Sequence, residues 1–498
     1  MVRPRKGARS AAQAGKKRKK DDFFEDAEGE EDEFFVQSGD ERGAGSESEE
    51  EDAETAETAE EKRLRLAKAY LDQVKAIEAA EAEPGSDDDE EGAHAAVAGR
   101  LRADALEGLG HLQRKLAHRL ALPALPAVAD WGGPASGGGR LLRGHHLSVT
   151  AVALSHDDRT LYSASKDGGL LAHDVESGAR QKFDTAAAGQ GREAQQGTAA
   201  DWVNRGPRQS GRNSLLAAAV SSDGRYLAVG GGDKKVHIWD ARSRQHMKAL
   251  PGHKDAVTCL AFREGTHELY SGSLDRSIKL WSLDDMAYVD TLFGHQAEVL
   301  GVDALRAERA VSCGADRTCR VWKIPEESQL IFRGHCMTIE CCRYLTGSEW
   351  LTGSADGSVS LWSSTKKKPA FTMRGAHADP AADGEEAEGA GSVGGDAATW
   401  VGSVAVCRGS DLVASGAGDG VVRLWGVVDA KGGSSKALQP LGGIAARGFV
   451  NSLAFARSGR FLAAGLGQEP RMGRWLRDGV ARNGVLIQPL QQREEGGD

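Results

Sequence analysis

The sequence predicts an all-β fold, a seven-bladed β-propeller, preceded by a charged N-terminal extension that is partly disordered and partly helical. Three observations carry this expectation. Gly-His pairs recur at Gly144-His145, Gly252-His253, Gly294-His295 and Gly334-His335. Each is followed by an Asp in a turn-rich stretch and then by a ring-bearing residue that closes a short apolar run. The units repeat about every forty residues, the length of four short strands, so the chain reads as an array.

Within a unit the hydrophobic period is two. Ala256 to Phe262, Glu268 to Ser273 and Ser277 to Trp281 are short runs separated by Gly, Asp, Arg and Ser turn residues, a strand pattern with no competing helical period. The spacing is that of the WD40 repeat. In chain order, the first unit pairs His145 with Asp167 and closes on His173 where Trp is expected; the second has Asp233 and Trp239 but no Gly-His opener. Three regular units follow: His253, Asp275 and Trp281; His295, Asp316 and Trp322; His335, Asp356 and Trp362. Gly375-Ala376-His377 is a stretched opener for the sixth, closed by Asp419 and Trp425. The seventh is least regular, running from Phe449 through Phe461 to Gly473-Arg474-Trp475, with Gln468 near the place of the turn Asp. Either Arg140-Leu141-Leu142 or Val485 to Pro489 supplies its outer strand. Closure itself is expected, because an open ring would expose strand edges.

In an antiparallel blade, the connector entering the first strand and the turn between the second and third lie at one end, so each His meets its Asp there. One ring nitrogen donates to the carboxylate, and the other is tied to a Ser/Thr or third-strand partner. These His, Asp and Trp residues are expected to be structural.

The overall net charge of −10 describes a tail rather than the repeat array. Residues 140–498 carry 43 Lys and Arg against 41 Asp and Glu, leaving an excess of twelve acids in the first 139 residues. Residues 1–60 form a disordered tail, basic and then acidic, because segments so charged and so poor in apolar residues cannot bury enough surface to fold. Its cluster Lys16, Lys17, Arg18, Lys19 and Lys20 reads as a nuclear or nucleolar localisation signal, or as a solvated arm with no receptor. Ser46 and Ser48, set among glutamates, resemble acid-directed kinase sites. Residues 61–125 are expected to hold helical segments with an acidic linker. Leu64, Ala67, Leu71, Val74 and Ile77 form one stripe within Glu61 to Glu83, and Leu101, Leu109, Leu112, Leu116 and Leu120 another within Val97 to Leu122. Such faces dock on the propeller, on each other or, as the favoured reading, on a partner protein. Residues 140–490 are the propeller, with insertions at 184–213 and 378–398 whose Gly, Ala and charge suggest mobile loops. Arg205, Arg208 and Arg212 in the first insertion could touch RNA or protein, or nothing.

No residue set carries chemistry. The seven cysteines form no Cys-x-x-Cys pair, which fits reduced thiols rather than disulfides or a metal site. The absence of a long apolar span or secretory signal points to a soluble intracellular chain with no membrane partner. Gly416 to Gly420 and Gly230 to Asp233 look like phosphate loops, but they join strand to strand and no Gly-Lys-Ser/Thr follows. No nucleophile has an arranged base, so the chain is read as no enzyme, with no cofactor, metal or small-molecule substrate. What remains is a surface. Arg143, Lys166, Lys234, Lys235, Lys254, Arg276, Arg317, Arg333 and Arg374 neighbour the Gly-His connectors and Asp turns and therefore share one rim. Such segregation is the footprint expected for a phosphate backbone; the alternative is that turn cations are simply solvated there.

Three stretches go beyond a generic propeller. Glu57 to Leu71, Val321 to Leu330, and Gly465 to Glu469 with Gly473-Arg474-Trp475 closely resemble the U3 small nucleolar RNA-interacting WD40 proteins, over roughly residues 55 to 490. The resemblance implies a non-catalytic component of the U3 small nucleolar ribonucleoprotein in the small-subunit processome. It also implies binding to the box B/C element of U3 RNA beside a kink-turn-binding core protein, and a role in the pre-rRNA processing that leads to 18S rRNA. A nuclear, nucleolar location follows. The alternative is a protein-only adaptor, such as a chromatin or ubiquitin-ligase receptor, using the same rim to capture peptides.

Overall fold

The computed structural model describes residues 114–121, 138–183, 214–377, 399–429 and 436–492. The Lys16 to Lys20 cluster, Ser46 and Ser48, residues 61–83, most of 97–122, and both insertions with Arg205, Arg208 and Arg212 lie outside them.

The described chain forms seven four-stranded antiparallel sheets and one two-stranded pair. The first strands of the blades are Val149–Leu154, Leu215–Val220, Val257–Phe262, Val299–Ala304, Ile339–Thr346, Ser403–Val406 and Phe449–Phe455. All seven line a central channel. The fourth strands, Arg180–Lys182, His246–Pro251, Ala287–Phe293, Ser328–Arg333, Phe371–Met373, Lys436–Ala445 and Arg140–Leu142, face outward. The fold is the seven-bladed propeller that the repeats predict.

Burial follows this radial order rather than the expected alternation. Every residue of Val257–Phe262 and of Val299–Ala304 is buried, whereas Ala287–Phe293 is exposed or half-buried throughout. A blade packs against a neighbour on both faces, so its inner strands have no solvent side. The core is accordingly divided into seven apolar clusters, one at each blade interface.

Polar side chains also bridge the blades. In six blades the register shifts by one residue near the start of the first strand, as between Val149 and Ala151. Such a bulge re-aims the extra residue. Thr150 there donates its hydroxyl to the Leu215 carbonyl at 2.6 Å, and Asn451 donates to Val149 O at 2.8 Å.

Ring closure uses both of the candidate segments. Gly484–Pro489 is the third strand of the seventh blade, and Arg140–Leu142 pairs with it as the fourth, Leu141 opposite Leu486. Trp475 therefore does not close a strand. It stands in the long loop 468–483 between the second strand, Phe461–Gly467, and the third. A hydrophobic pattern cannot distinguish a strand-closing Trp from an aromatic placed on a loop.

The stretch expected to be helical up to Leu122 also ends differently. Residues 114–121 form a parallel bridge from Arg114 to Ser410, a 3-10 turn at Ala117–Arg119, and a strand at Leu120–Ala121 paired with Gln491–Gln492. Leu116 and Leu120 are buried in the cluster between blades six and seven, while Asp411 accepts from the backbone N–H of Leu116 and Ala117. These two leucines thus dock on the propeller itself, not on a partner. Pairing with a strand edge satisfies the backbone as well as the side chains, which an isolated short helix cannot do.

Candidate nucleic-acid interface

The connectors into the first strands and the turns between second and third strands share one end of the ring, and a repeated polar network builds it. In the third blade His253 Nδ1 lies 2.9 Å from Asp275, and Nε2 lies 2.8 Å from Ser271 Oγ, which also accepts from Trp281 Nε1 at 2.8 Å. His295, Asp316, Ser312 and Trp322 repeat this in the fourth blade at 2.9, 2.7 and 2.8 Å. His377, Asp419, Ser415 and Trp425 do so in the sixth at 2.8, 2.8 and 2.9 Å.

The other blades are looser. His335 Nδ1 bonds Ser358 at 3.0 Å and stands 3.8 Å from Asp356, while Trp362 still shares Thr352 with it. His145 is 3.8 Å from Asp167, and its partner Ser163 is shared with His173 in the place of Trp. Burial drives the His173 pKa down to about 4. In the second blade, which lacks an opener, Asp233 is engaged instead by His237 of the third strand at 2.5 Å, and Trp239 packs edge-on against His246.

Ser, His and Asp connected in this order have the topology of a hydrolytic triad. Its chemistry is blocked. Ser271, Ser312 and Ser415 are wholly buried, and each hydroxyl is also held by an indole N–H. At Asp275 burial pushes the carboxyl pKa up, but hydrogen bonds from His253, Ser277 and the Lys254 amide outweigh it and hold the group well below the usual range. Asp316 is held low in the same way by His295, Thr318 and the Gln296 amide. The network fixes the turn on which neighbouring cations are mounted.

Eight of the nine rim cations named from the sequence are exposed: Arg143, Lys234, Lys235, Lys254, Arg276, Arg317, Arg333 and Arg374. In blades two, three and four the turn residue after the Asp is Lys234, Arg276 or Arg317, with φ of 69, 69 and 60°. The equivalent residue in blades one, five and six is Gly168, Gly357 or Gly420, with φ of 78, 77 and 77°. A left-handed non-glycine residue costs about 1–2 kcal/mol. Three consecutive blades therefore carry a long cation where the backbone favours glycine.

Lys166 corrects the ninth assignment. It is only 5 % exposed, and its ammonium donates to Gly473 O at 2.7 Å and meets Glu469 at 3.5 Å. Burial lowers its pKa, opposed by Glu469. The first blade turns this residue into the junction with the seventh, so it braces the ring and adds nothing to the rim.

The 468–483 loop joins this face although the sequence pattern places its aromatic at the end of a strand. It adds Arg471, Arg474, Arg477 and Arg482 against Glu469 and Asp478. Arg471 crosses the channel mouth to donate to Leu300 O at 3.0 Å, and Arg477 donates to Gln468 at 3.2 Å. The unusual length of the loop is the one sequence signal that could have found it. Among the described residues no His, Cys, Asp and Glu group could hold a metal ion, and no helix is long and apolar enough to cross a membrane.

A ring of blades stapled by this His–Asp–Ser/Thr–Trp network defines a WD40 protein, and the WD domain, G-beta repeat, matches at residues 139–173, 208–240, 244–282, 286–323, 326–363 and 392–426. The U3 snoRNP-associated protein-like EMB2271 of Arabidopsis thaliana is 44 % identical over 92 % of this chain and 90 % of its own. The U3 small nucleolar RNA-interacting protein 2 of Homo sapiens is 40 % identical over 87 % of this chain and 82 % of its own. Ribosomal RNA-processing protein 9 of Saccharomyces cerevisiae is more distant, 28 % identical over 56 % of this chain and 58 % of its own. The solved structure of U3-55K superposes with a TM-score of 0.61 at 42 % identity, covering 72 % of this chain and all of that one. The chain belongs to the family of U3 snoRNP-associated, U3 small nucleolar RNA-interacting WD40 proteins.

Proposed function

We propose that this chain is a non-catalytic RNA- and protein-binding component of the U3 small nucleolar ribonucleoprotein. In this reading it acts in the nucleolus, in the pre-rRNA processing that leads to 18S rRNA. Its cationic face contacts the backbone of the box B/C region of U3 RNA, beside a kink-turn-binding core protein. The observation that carries the reading is the 44 % and 40 % identity to U3-associated relatives over about nine-tenths of the chain, joined to a face with eight exposed cations.

Residues 140–498 are nearly neutral; at this end eight cations are exposed, whereas turn carboxylates such as Asp275, Asp316 and Asp419 are half-buried and bonded to His, an arrangement that supports phosphate binding. Protein components of the particle find a different surface. The outer strands of blades three and four leave Tyr288, Val289, Phe293, Leu330 and Ile331 exposed, Phe293 by 74 %. Apolar side chains on an outer strand suit contact with another protein better than contact with RNA.

Replacing Arg276 and Arg317 together by Glu tests the reading. U3 affinity is expected to fall, and the salt dependence of binding to drop by about 1.5 for two lost phosphate contacts, with the fold intact because both side chains are solvent-exposed. Unchanged affinity at moderate salt removes this face from the mechanism. Recovery of the tagged chain followed by RNA sequencing separates this reading from a protein-only adaptor: U3 enrichment supports it, and an RNA-free set of protein partners overturns it.

A further inference from the structure

On the same face as the cations, the 468–483 loop and the ends of blades five, six and seven enclose a pocket of about 600 Å³ including its open mouth. Its walls carry Trp400, Phe449, Met472 and Trp475, with Glu340 and Arg471 as polar lining groups. The two indoles lie 6.4 Å apart between centroids with planes at 58°. Trp475 is 62 % exposed although it is among the largest apolar side chains of the molecule.

The exposure is built in. Gly473, at φ 76°, lets the Trp475 ring lie against the backbone where a Cβ would overlap it. Lys166 and Glu469 then fasten the turn from beneath: Lys166 donates to Gly473 O at 2.7 Å, and the Glu469 amide donates to Ser148 Oγ at 3.0 Å. Asn451 donates to Glu469 O at 3.1 Å, and Gln468 to Ala481 O at 2.9 Å. A buried lysine and a left-handed glycine thus hold one indole in water, an arrangement that core packing does not require.

We infer that this pocket receives an unpaired nucleobase of the bound RNA, stacked on Trp475 with its polar edge toward Glu340 and Arg471. The inference rests on the RNA-binding reading above and gives it a specific site. Aromatic faces stack splayed-out bases, and cations beside them hold the adjoining phosphates. Arg474 is the chain neighbour of Trp475, and Arg482 of the same loop is exposed. Arg474 already has Glu469 at 3.5 Å, but an apolar peptide side chain would use the indoles and leave the exposed Arg482 guanidinium with no anion to meet. A nucleotide uses both.

The test uses the full chain and U3 RNA. Trp475→Ala is expected to weaken binding about tenfold, the scale of one base–aromatic stack, while Trp475→Phe keeps most of the affinity. Abasic substitution at successive unpaired U3 nucleotides should find one position that costs the native chain the same tenfold and costs Trp475→Ala nothing further. Binding within twofold of native for Trp475→Ala, or a loss uncoupled from every abasic position, overturns the inference. So does a Trp475→Ala chain that loses a protein partner and keeps full RNA affinity. The Arg276 and Arg317 charge reversal separates the two levels. If it weakens U3 binding while Trp475 is silent, only the pocket fails; if both are silent, the RNA face fails.

Discussion

Replacing Lys166 by Met separates a brace from a rim cation. Met keeps most of the apolar stem and removes the ammonium that donates to Gly473 O at 2.7 Å and faces Glu469 at 3.5 Å. A hydrogen bond from a charged donor contributes about 1.5–3 kcal/mol. Part of that is returned because a buried cation no longer has to be desolvated. Glu469 is not orphaned, since Arg474 stands 3.5 Å from it. The net expected loss is about 1–2 kcal/mol, read as a lower denaturant midpoint with native blade structure. Salt dependence is the second assay. A rim lysine touching phosphate contributes about 0.7–0.9 to the slope of log K against log salt, and a brace contributes nothing. Any fall in U3 affinity for Lys166→Met should therefore be the same at low and moderate salt, whereas Arg276→Gln should lower the slope. Unchanged stability together with a reduced slope would refute the assignment of Lys166 to the blade junction.

Ser271→Ala leaves His253 Nε2 and Trp281 Nε1 without their shared partner, and should cost about 2–3 kcal/mol in chemical unfolding; Ser312→Ala should match it in the fourth blade. The His173 pKa of about 4 lies below its value of 6.5 when unfolded, so the unfolded chain takes up a proton first as pH falls. Stability from His173 is complete above pH 6.5 and declines between 6.5 and 4, by on the order of 2–3 kcal/mol; His173→Gln should flatten that part of the stability–pH curve. Residues 378–398 carry six carboxylates and no Lys or Arg between His377 and Thr399, both at the cationic end. Neutralising those carboxylates to Asn and Gln should raise RNA affinity at low salt and have a smaller effect at high salt.

The blades were legible because each is a local unit with its own punctuation. His253, Asp275 and Trp281 lie within one forty-residue stretch, and their meeting follows from antiparallel pairing alone. The same regularity located the eight exposed cations, since position in a turn determines which end of the ring a side chain occupies. It failed where contacts run between units. Lys166 adjoins a turn Asp as Lys234 and Arg276 do, although before it rather than after it, yet the seventh blade's loop lies over it. Leu116 and Leu120 have helical spacing, yet the edge between blades six and seven offers them a strand partner and a core.

Trp475 shows the division most clearly. The sequence by itself determined the number of blades, the His–Asp pairing within the regular units and the end of the ring on which eight exposed cations stand, because these depend on neighbours within a repeat. Only the tertiary structure decided that Arg140–Leu142 closes the ring, that Lys166 is buried, and that Trp475 stands on a loop beside Trp400. Those outcomes depend on residues some 75 to 350 positions apart that meet only once the circle is complete, and no local period encodes them.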